Sequence, residues 1–364
     1  MVALFLTLTR SNLMSLSIFD HPWLSGLFGD AEMALILSSD RQMAHMLAFE
    51  AAWSRACGKA GFFDEEKAEE AARAIEAAEI DLADIASGMS KDGVPVPSLV
   101  KQLKAVAPID AVHKGATSQD VVDTALVLTL RDASTLIADR LAKLENSLKD
   151  LETRFGDAPL MGRTRMQAAT EITVGDRVLA WRLPLADHLA TLDKKRADVE
   201  KVQVGGPSGD RKALGNKAEF VVAEVARALG LEATEKSWHT MRHAIVGYAS
   251  FLSLVTGSLG KIGQDISLMV QQGIETATIT GAGGSSAMPH KQNPVAAELL
   301  VTLARFNATQ ISAMHHAMVH EQERSGAAWS LEWMVLPQML MTTGRSLVVA
   351  IELVQNIQRL GDPA

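Results

Sequence analysis

The chain has 364 residues, 48% hydrophobic but only 5% aromatic, and a net charge of −8 from 35 basic and 43 acidic residues. The acidic balance argues against a general binder of phosphate backbones, and the shortage of aromatic rings against a base-stacking surface. A locally basic pocket for an anionic small molecule stays open.

Cys57 is the single cysteine, which excludes an intramolecular disulfide and a cysteine-based zinc site and suits a reducing, cytoplasmic compartment. It is expected to be a small buried apolar side chain. Residues 2–9 are mostly apolar, but no basic residue precedes them and no cleavage site stands out, so they do not read as a signal peptide. Met14 is a second candidate start.

Residues 40–57 carry Met43, Met46, Leu47, Glu50, Trp53 and Ala56 at mixed helical spacings. DEEKAEEAARAIEAAE, 64–79, opens with acids where the helix dipole favours them. SGMSKDGVPVPSL, 87–99, holds two glycines and two prolines and reads as a domain boundary. It divides a helical N-terminal domain (1–98) from a central long-helix bundle (99–340), followed by a short C-terminal helical segment (341–364). Residues 118–155 contain no Gly or Pro. There Leu141, Leu144, Leu148, Leu151 and Phe155 form a seam that predicts packing against another long helix. Residues 171–202 continue helically, with a kink expected at Pro184, and Lys194-Lys195-Arg196 reads as a solvated face.

QVGGPSGDRKALG, 203–215, is a loop. A helix over 239–273 includes the uncharged AIVGYASFLSLVTGSLG, slightly short for a membrane span and better read as buried among other helices. Further helices fall at about 294–320 and 329–358. The strand signal is nearly absent. Helices of roughly 45 Å imply an elongated all-α bundle.

Three segments could carry chemistry. In GAGGSSAMPHKQNP, 281–294, glycines give a loop able to open and close, Asn293 is a candidate N-cap and Pro294 a first helical residue. Lys291 and Asn293, with backbone N–H groups, suit a carboxylate. HKGATSQD, 113–120, puts His113, Thr117, Ser118 and Gln119 at the start of a long helix, where helix capping alone explains the Thr-Ser pair. GRTRMQAATEIT, 162–173, offers Arg163, Arg165 and Gln167; two arginines can grip a carboxylate, although surface decoration is the commoner reading of such a stretch. His315, His316 and His320 lack an HExxH pattern and are not read as a metal site. Trp329 and Trp333 read as packing. Arg242 and Arg324 are looser candidates that surface salt bridges explain equally.

Together these segments resemble the three signature regions of the fumarase/aspartase superfamily. GSSAMPHKQNP matches its GSSxMPxKxNP signature at each fixed position, and HKGATSQDVVDTA resembles its adenylosuccinate lyase and cycloisomerase branch. The resemblance, from about Phe19 to the last helix, implies a helical N-terminal domain, a central bundle, and a homotetramer whose sites draw on three subunits. It implies Ser285 as the catalytic serine, Ser286 as its neighbour, no cofactor and no metal. By the same match His113 orients substrate or moves a proton.

Two departures narrow the branch. Amino-group lyases of the family commonly carry histidine where this chain has Arg165, and GLFGDAEMALILSSD lacks the arginine that would anchor a nucleotide phosphate. FDHPWLSGLFGD, WHTMRHA and HEQERSGAAWSLEWMVLP instead resemble 3-carboxy-cis,cis-muconate cycloisomerases of the protocatechuate (β-ketoadipate) route. The implied reaction is lactone formation on a tricarboxylate. Arg163 and Arg165 would hold one carboxylate, Lys291 and Asn293 a second, and Thr117, Ser118 and Gln119 a third, with Gln167 and Arg242 also in contact. An adenylosuccinate- or argininosuccinate-type lyase and a non-catalytic helical scaffold are the rival readings. Neither a nucleic acid nor a membrane is expected as partner.

Overall fold

The computed structural model describes residues 17–281, 283–284, 288 and 291–363. Short α1 (Ser25–Phe28) and α2 (Ala31–Ile36) lead into α3 (Ser39–Lys59), α4 (Glu65–Glu76), α5 (Leu82–Asp92) and α6 (Val96–Val106). Next come α7 (Ser118–Phe155), β1 (Pro159–Thr164), β2 (Gln167–Thr173), α8 (Val174–Val199), α9 (Ala218–Leu229) and α10 (His243–Met269). Then β3 (Ala277–Ile279), β4 (Gly283–Gly284), β5 (Gln292–Asn293), α11 (Val295–Ala317), α12 (Gly326–Gln355) and β6 (Ile357–Leu360) follow. The helices dominate, and the strands form only two-stranded antiparallel ladders: β1 with β2, β3 with β6, and β4 with β5.

The long helices α7, α8, α10, α11 and α12 pack on one another as the core bundle. The predicted seam is real: Leu141, Leu144, Leu148 and Leu151 are buried against this core and Phe155 partly so. Each such leucine contributes about 1.5–3 kcal/mol by leaving water. The apolar α10 is likewise interior, with Ile245, Tyr248, Leu252, Val255, Leu259 and Ile262 all buried. Its glycines let α11 come close. A Cβ on Gly260 would stand 2.6 Å from Ala304 Cβ, and one on Gly263 2.5 Å from the Ala297 carbonyl. By length and composition α10 and α12 could each cross a membrane, but both are mostly buried among the other helices. Pro184 lies inside α8.

A second apolar cluster joins α3, α4, α6, the first half of α7 and α9 around Phe49, Trp53, Leu99, Val121 and Val222. Cys57 is buried in it, and burial pushes its thiol up to about 12, so it is inert as a nucleophile.

Three local expectations change. The glycine- and proline-rich 87–99 segment is mostly helical: α5 runs to Asp92, Gly93 ends it at φ 70°, and α6 begins at Val96. Residues 162–173 form a hairpin, so α8 starts at Val174 and not near 171, behind a Thr173–Asp176 capping box. Asn293 does not cap α11. It pairs with Gly283 across the base of the signature loop, and Pro294 takes the capping position.

Candidate active site

At the amino-terminal end of α7 the capping expectation holds and proves too small. Asp120, three residues into the cap, accepts the Thr117 N–H at 3.1 Å, completing a capping box. The same buried carboxylate accepts the N–H groups of Gly205 (2.8 Å) and Gly206 (2.9 Å) and stands 2.9 Å from His239 Nε2. It therefore ties the 113–117 loop to two glycines of the 203–211 loop and to the turn before α10. Gly205 has no room for a side chain, since a Cβ there would sit 2.6 Å from Ser237.

One turn along α7, Asp123 anchors a second network. It pairs with Arg242 (2.7 Å) and accepts from Trp329 Nε1 (3.0 Å), Gln119 Nε2 (3.1 Å) and Gln203 Nε2 (3.2 Å). Arg242 also donates from Nε to Glu332 Oε2 at 3.0 Å, lies 4.9 Å from the Trp238 ring, and its side chain has no exposure. Burial opposes its charge, but the Asp123 and Glu332 carboxylates hold it firmly protonated. Arg242 is thus no surface salt bridge: its side chain is enclosed and it makes four hydrogen bonds to Asp123 and Glu332, which leaves it turned toward the protein and not toward a substrate. Gln119 is corrected for the same reason. Fully buried, it donates to Asp123 and to the His239 carbonyl and accepts from Arg324.

What faces outward here is smaller. Thr117 and Ser118 are half-buried, and Arg324, delivered by the loop before α12, donates to Thr117 Oγ1 (3.1 Å) and Gln119 Oε1 (3.1 Å). His113 is held by Glu50 Oε1 at 2.6 Å. Burial pulls its pKa down, yet the Glu50 charge and hydrogen bond, helped by Asp120, more than offset that and hold it above the usual 6.5. In the loop before α12 His320 is shifted the other way, lowered by burial and by Arg242.

The hairpin end looks different. Thr164 and Gln167 pair across a two-residue turn of Arg165 and Met166, both at positive φ (48° and 67°). Arg163 and Arg165 are exposed and bond to no protein group among the described residues, while Gln167 folds its amide onto the Met166 carbonyl at 3.3 Å. In the signature segment, the β4–β5 ladder closes the base of the loop and Lys291 is exposed, its N–H bonded to the Met288 carbonyl at 3.0 Å. Gly283 is required: a Cβ would sit 2.7 Å from Val295. Ser285 and Ser286 lie outside the described residues.

The α7 amino-terminal region does not meet the other two within one chain, whereas β3, which leads into the signature loop, and the base of the hairpin are joined through β6 and the residues after it. α7 has 38 residues, so its far end, where the chain passes into the hairpin, is about 57 Å from Thr117. α11 begins opposite Gly263, which stands about 30 Å along α10 from Arg242. Among the described residues no three His, Cys, Asp or Glu side chains group as metal ligands. Trp329 and Trp333 pack 4.6 Å apart, and Trp329 also holds Asp123. An apolar cleft of about 450 Å³ between α3, α5 and α12, lined by Met43, Met89 and Trp333, offers little to a polyanion.

Glu50, Asp120 and Asp123 emerge here as neighbours of these groups, beside Arg324, which the sequence had offered as a looser candidate. Of the three only Asp120 left a clear trace in the sequence, as the acid of a capping box; the other two depend on long-range packing.

Residues 30–309 match the model of a family described as Lyase. The 3-carboxy-cis,cis-muconate cycloisomerase of Pseudomonas aeruginosa is 38% identical over 91% of this chain and 74% of its own length. That of Acinetobacter baylyi is 34% identical over 92% of this chain and 76% of its own. Among solved structures, the 3-carboxy-cis,cis-muconate lactonizing enzyme from Pseudomonas putida superposes with a TM-score of 0.85 at 37% identity, covering 93% of this chain and 77% of that one. A Mesorhizobium fumarate lyase also reaches 0.85, at 30% identity over 92% of this chain and 76% of that one. With its signature loop, its long-helix bundle and these likenesses, the chain belongs to the lyase family of the fumarase/aspartase superfamily.

Proposed function

We propose that this protein is a 3-carboxy-cis,cis-muconate cycloisomerase that works as a cytoplasmic homotetramer with sites shared between subunits. The observation that carries the reaction is Arg165. Relatives bearing the cycloisomerase name are 34–38% identical to this chain, whereas an N-acetyl-S-(2-succino)cysteine lyase and a nitrosuccinate lyase are 30% identical. An arginine in place of the leaving-group histidine suits a reaction with nothing to expel.

In that reaction one carboxylate of the substrate attacks the conjugated double bond, forming a C–O bond. The electron pair moves to the carbon beside another carboxylate, where charge spreads as a dianion and is quenched by a proton. Fixed cations and donors stabilise that dianion. Ser285 supplies the proton, its acidity supported by Lys291 and the loop N–H groups. Arg163, Arg165 and Arg324 hold carboxylates. Thr117 and Ser118 lie at a helix start whose dipole favours an anion.

Separation of the α7 amino-terminal region from the hairpin and the signature loop, along α7 and α10, supports a shared site. So do the exposed Leu179 and Leu183 on α8 and Leu254 on α10, an apolar presentation fit for other subunits.

Loss of the diene's ultraviolet absorbance tests the chemistry, with adenylosuccinate and argininosuccinate assayed in parallel. Turnover of the muconate alone, abolished in Ser285→Ala, supports the assignment. Inertness toward it, or faster elimination from either succinate adduct, overturns it. Mixing Ser285→Ala with Arg165→Ala subunits under exchange conditions tests sharing. Activity above the sum of the two is expected, and strict additivity refutes shared sites.

A further inference from the structure

Glu50 lies in the middle of α3 and takes no part in the chemistry assigned above. Its carboxylate is wholly buried, yet only one oxygen is bonded: Oε1 is 2.6 Å from His113 Nδ1, and Oε2 has no partner. A buried carboxylate with an unmatched oxygen is unfavourable unless a cation faces it. The His113 imidazolium is that cation.

The surroundings hold the pair in place. Residues 50, 53 and 54 share one face of α3. From that face Trp53 Nε1 donates to the Lys114 carbonyl at 3.0 Å and Ser54 Oγ to the Ala111 carbonyl at 2.7 Å. His113 itself sits at φ 56°, a left-handed conformation that a residue with a side chain keeps only where its neighbours impose it. One helix face thus straps the loop and turns Nδ1 inward. Nε2 is left with no partner among the described residues, at the outer end of a ring whose side chain is 15% exposed.

We propose that Glu50 is a positioning residue that keeps His113 protonated and oriented so that its Nε2–H donates to a carboxylate of the substrate. This rests on the tricarboxylate reading given under the proposed function. The groups acting on the ring are Glu50 from α3, Asp120 from α7 and Lys104 from α6. The two acids favour the imidazolium, while burial and Lys104 oppose it. His113 keeps its proton throughout, so no bond is made or broken at it.

Glu50→Gln tests the pair, because it preserves shape and an acceptor oxygen but removes the charge. The first readout needs no substrate: the His113 ring proton is followed by NMR against pH and assigned with His113→Gln. Its midpoint should fall by at least about one unit in Glu50→Gln, and an unmoved midpoint overturns the proposal. The second is steady-state kinetics with 3-carboxy-cis,cis-muconate. In the native protein KM should rise as pH passes above the His113 midpoint. In Glu50→Gln that rise should begin about one unit lower, so KM should exceed the native value by up to about tenfold, the full factor appearing at pH above both midpoints. kcat should stay within about twofold, and KM should recover on acidification. A fall in kcat that is equal at every pH, with no displaced profile, means a merely structural Glu50 and refutes the idea. Trp53→Phe loosens the same strap without touching the charge, so it should lower the melting temperature and leave the KM profile in place. A profile displaced as in Glu50→Gln would refute the role of charge. Should the native protein leave the muconate unturned, the assigned reaction fails, and the NMR titration still decides the pair.

Discussion

At the amino-terminal end of α7 the charges are matched inside the protein: Asp120 by three backbone N–H groups and His239, Arg242 by Asp123 and Glu332, His113 by Glu50. Past the far end of α7, some 57 Å away, Arg163 and Arg165 of the hairpin stand in water with no protein partner among the described residues. A cation already enclosed by two carboxylates has little to offer a ligand, whereas a hydrated one at a turn can be captured by any anion that docks. The matched end is scaffold with a few outward groups, whereas the unmatched end keeps its cations free for an anion that docks there. The contrast assigns opposite consequences to two arginines that look alike in the sequence.

The sharpest break comes from Arg242→Ala. It strands Asp123 and Glu332 as buried carboxylates, and breaking such a pair costs about 3–5 kcal/mol. The urea midpoint should fall steeply, and much of the chain should be recovered unfolded. A native midpoint with reduced turnover would return Arg242 to the substrate and erase the contrast.

Arg165→Ala should do the reverse. An exposed arginine without a partner contributes little to folding, so the midpoint should move by no more than about 0.5 kcal/mol. Loss of a charged hydrogen bond to a carboxylate is worth about 1.5–3 kcal/mol, a drop of roughly ten- to 150-fold in kcat/KM toward 3-carboxy-cis,cis-muconate. An unchanged kcat/KM would remove Arg165 from the site.

Periodicity made the scaffold readable in advance. The leucine seam of α7 and the uncharged α10 declare their partners through spacing and composition, and both helices form where that pattern places them. The GSSAMPHKQNP signature likewise declares its family. Roles that depend on which side chain meets which across long stretches of sequence were not readable. Gln119 looked like a ligand because its buried position depends on His239 and Arg324. Glu50 looked like one more helical residue because His113 lies 63 positions further on. The hairpin was missed for a local reason: its turn is Arg-Met, where an isolated two-residue turn would call for Asn-Gly.

That turn supplies the smallest test. Met166 holds φ 67° and is 72% exposed, so it bears left-handed strain and little packing. The strain is worth about 1–2 kcal/mol, and glycine's extra freedom in the unfolded chain cancels about 0.5–1 kcal/mol of any relief. Met166→Gly should therefore stabilise the protein by up to about 1.5 kcal/mol, a rise of a degree or two in melting temperature for a chain this long. Scanning calorimetry checks the sign. Kinetics on the same variant sharpen the contrast between the two ends. If the hairpin acts only through the arginines it carries, kcat/KM should stay within about twofold of native. A tenfold loss alongside a raised melting temperature would mean that the strained turn aims Arg165, and that the open end, like the closed one, is held in a fixed geometry by the backbone beneath it.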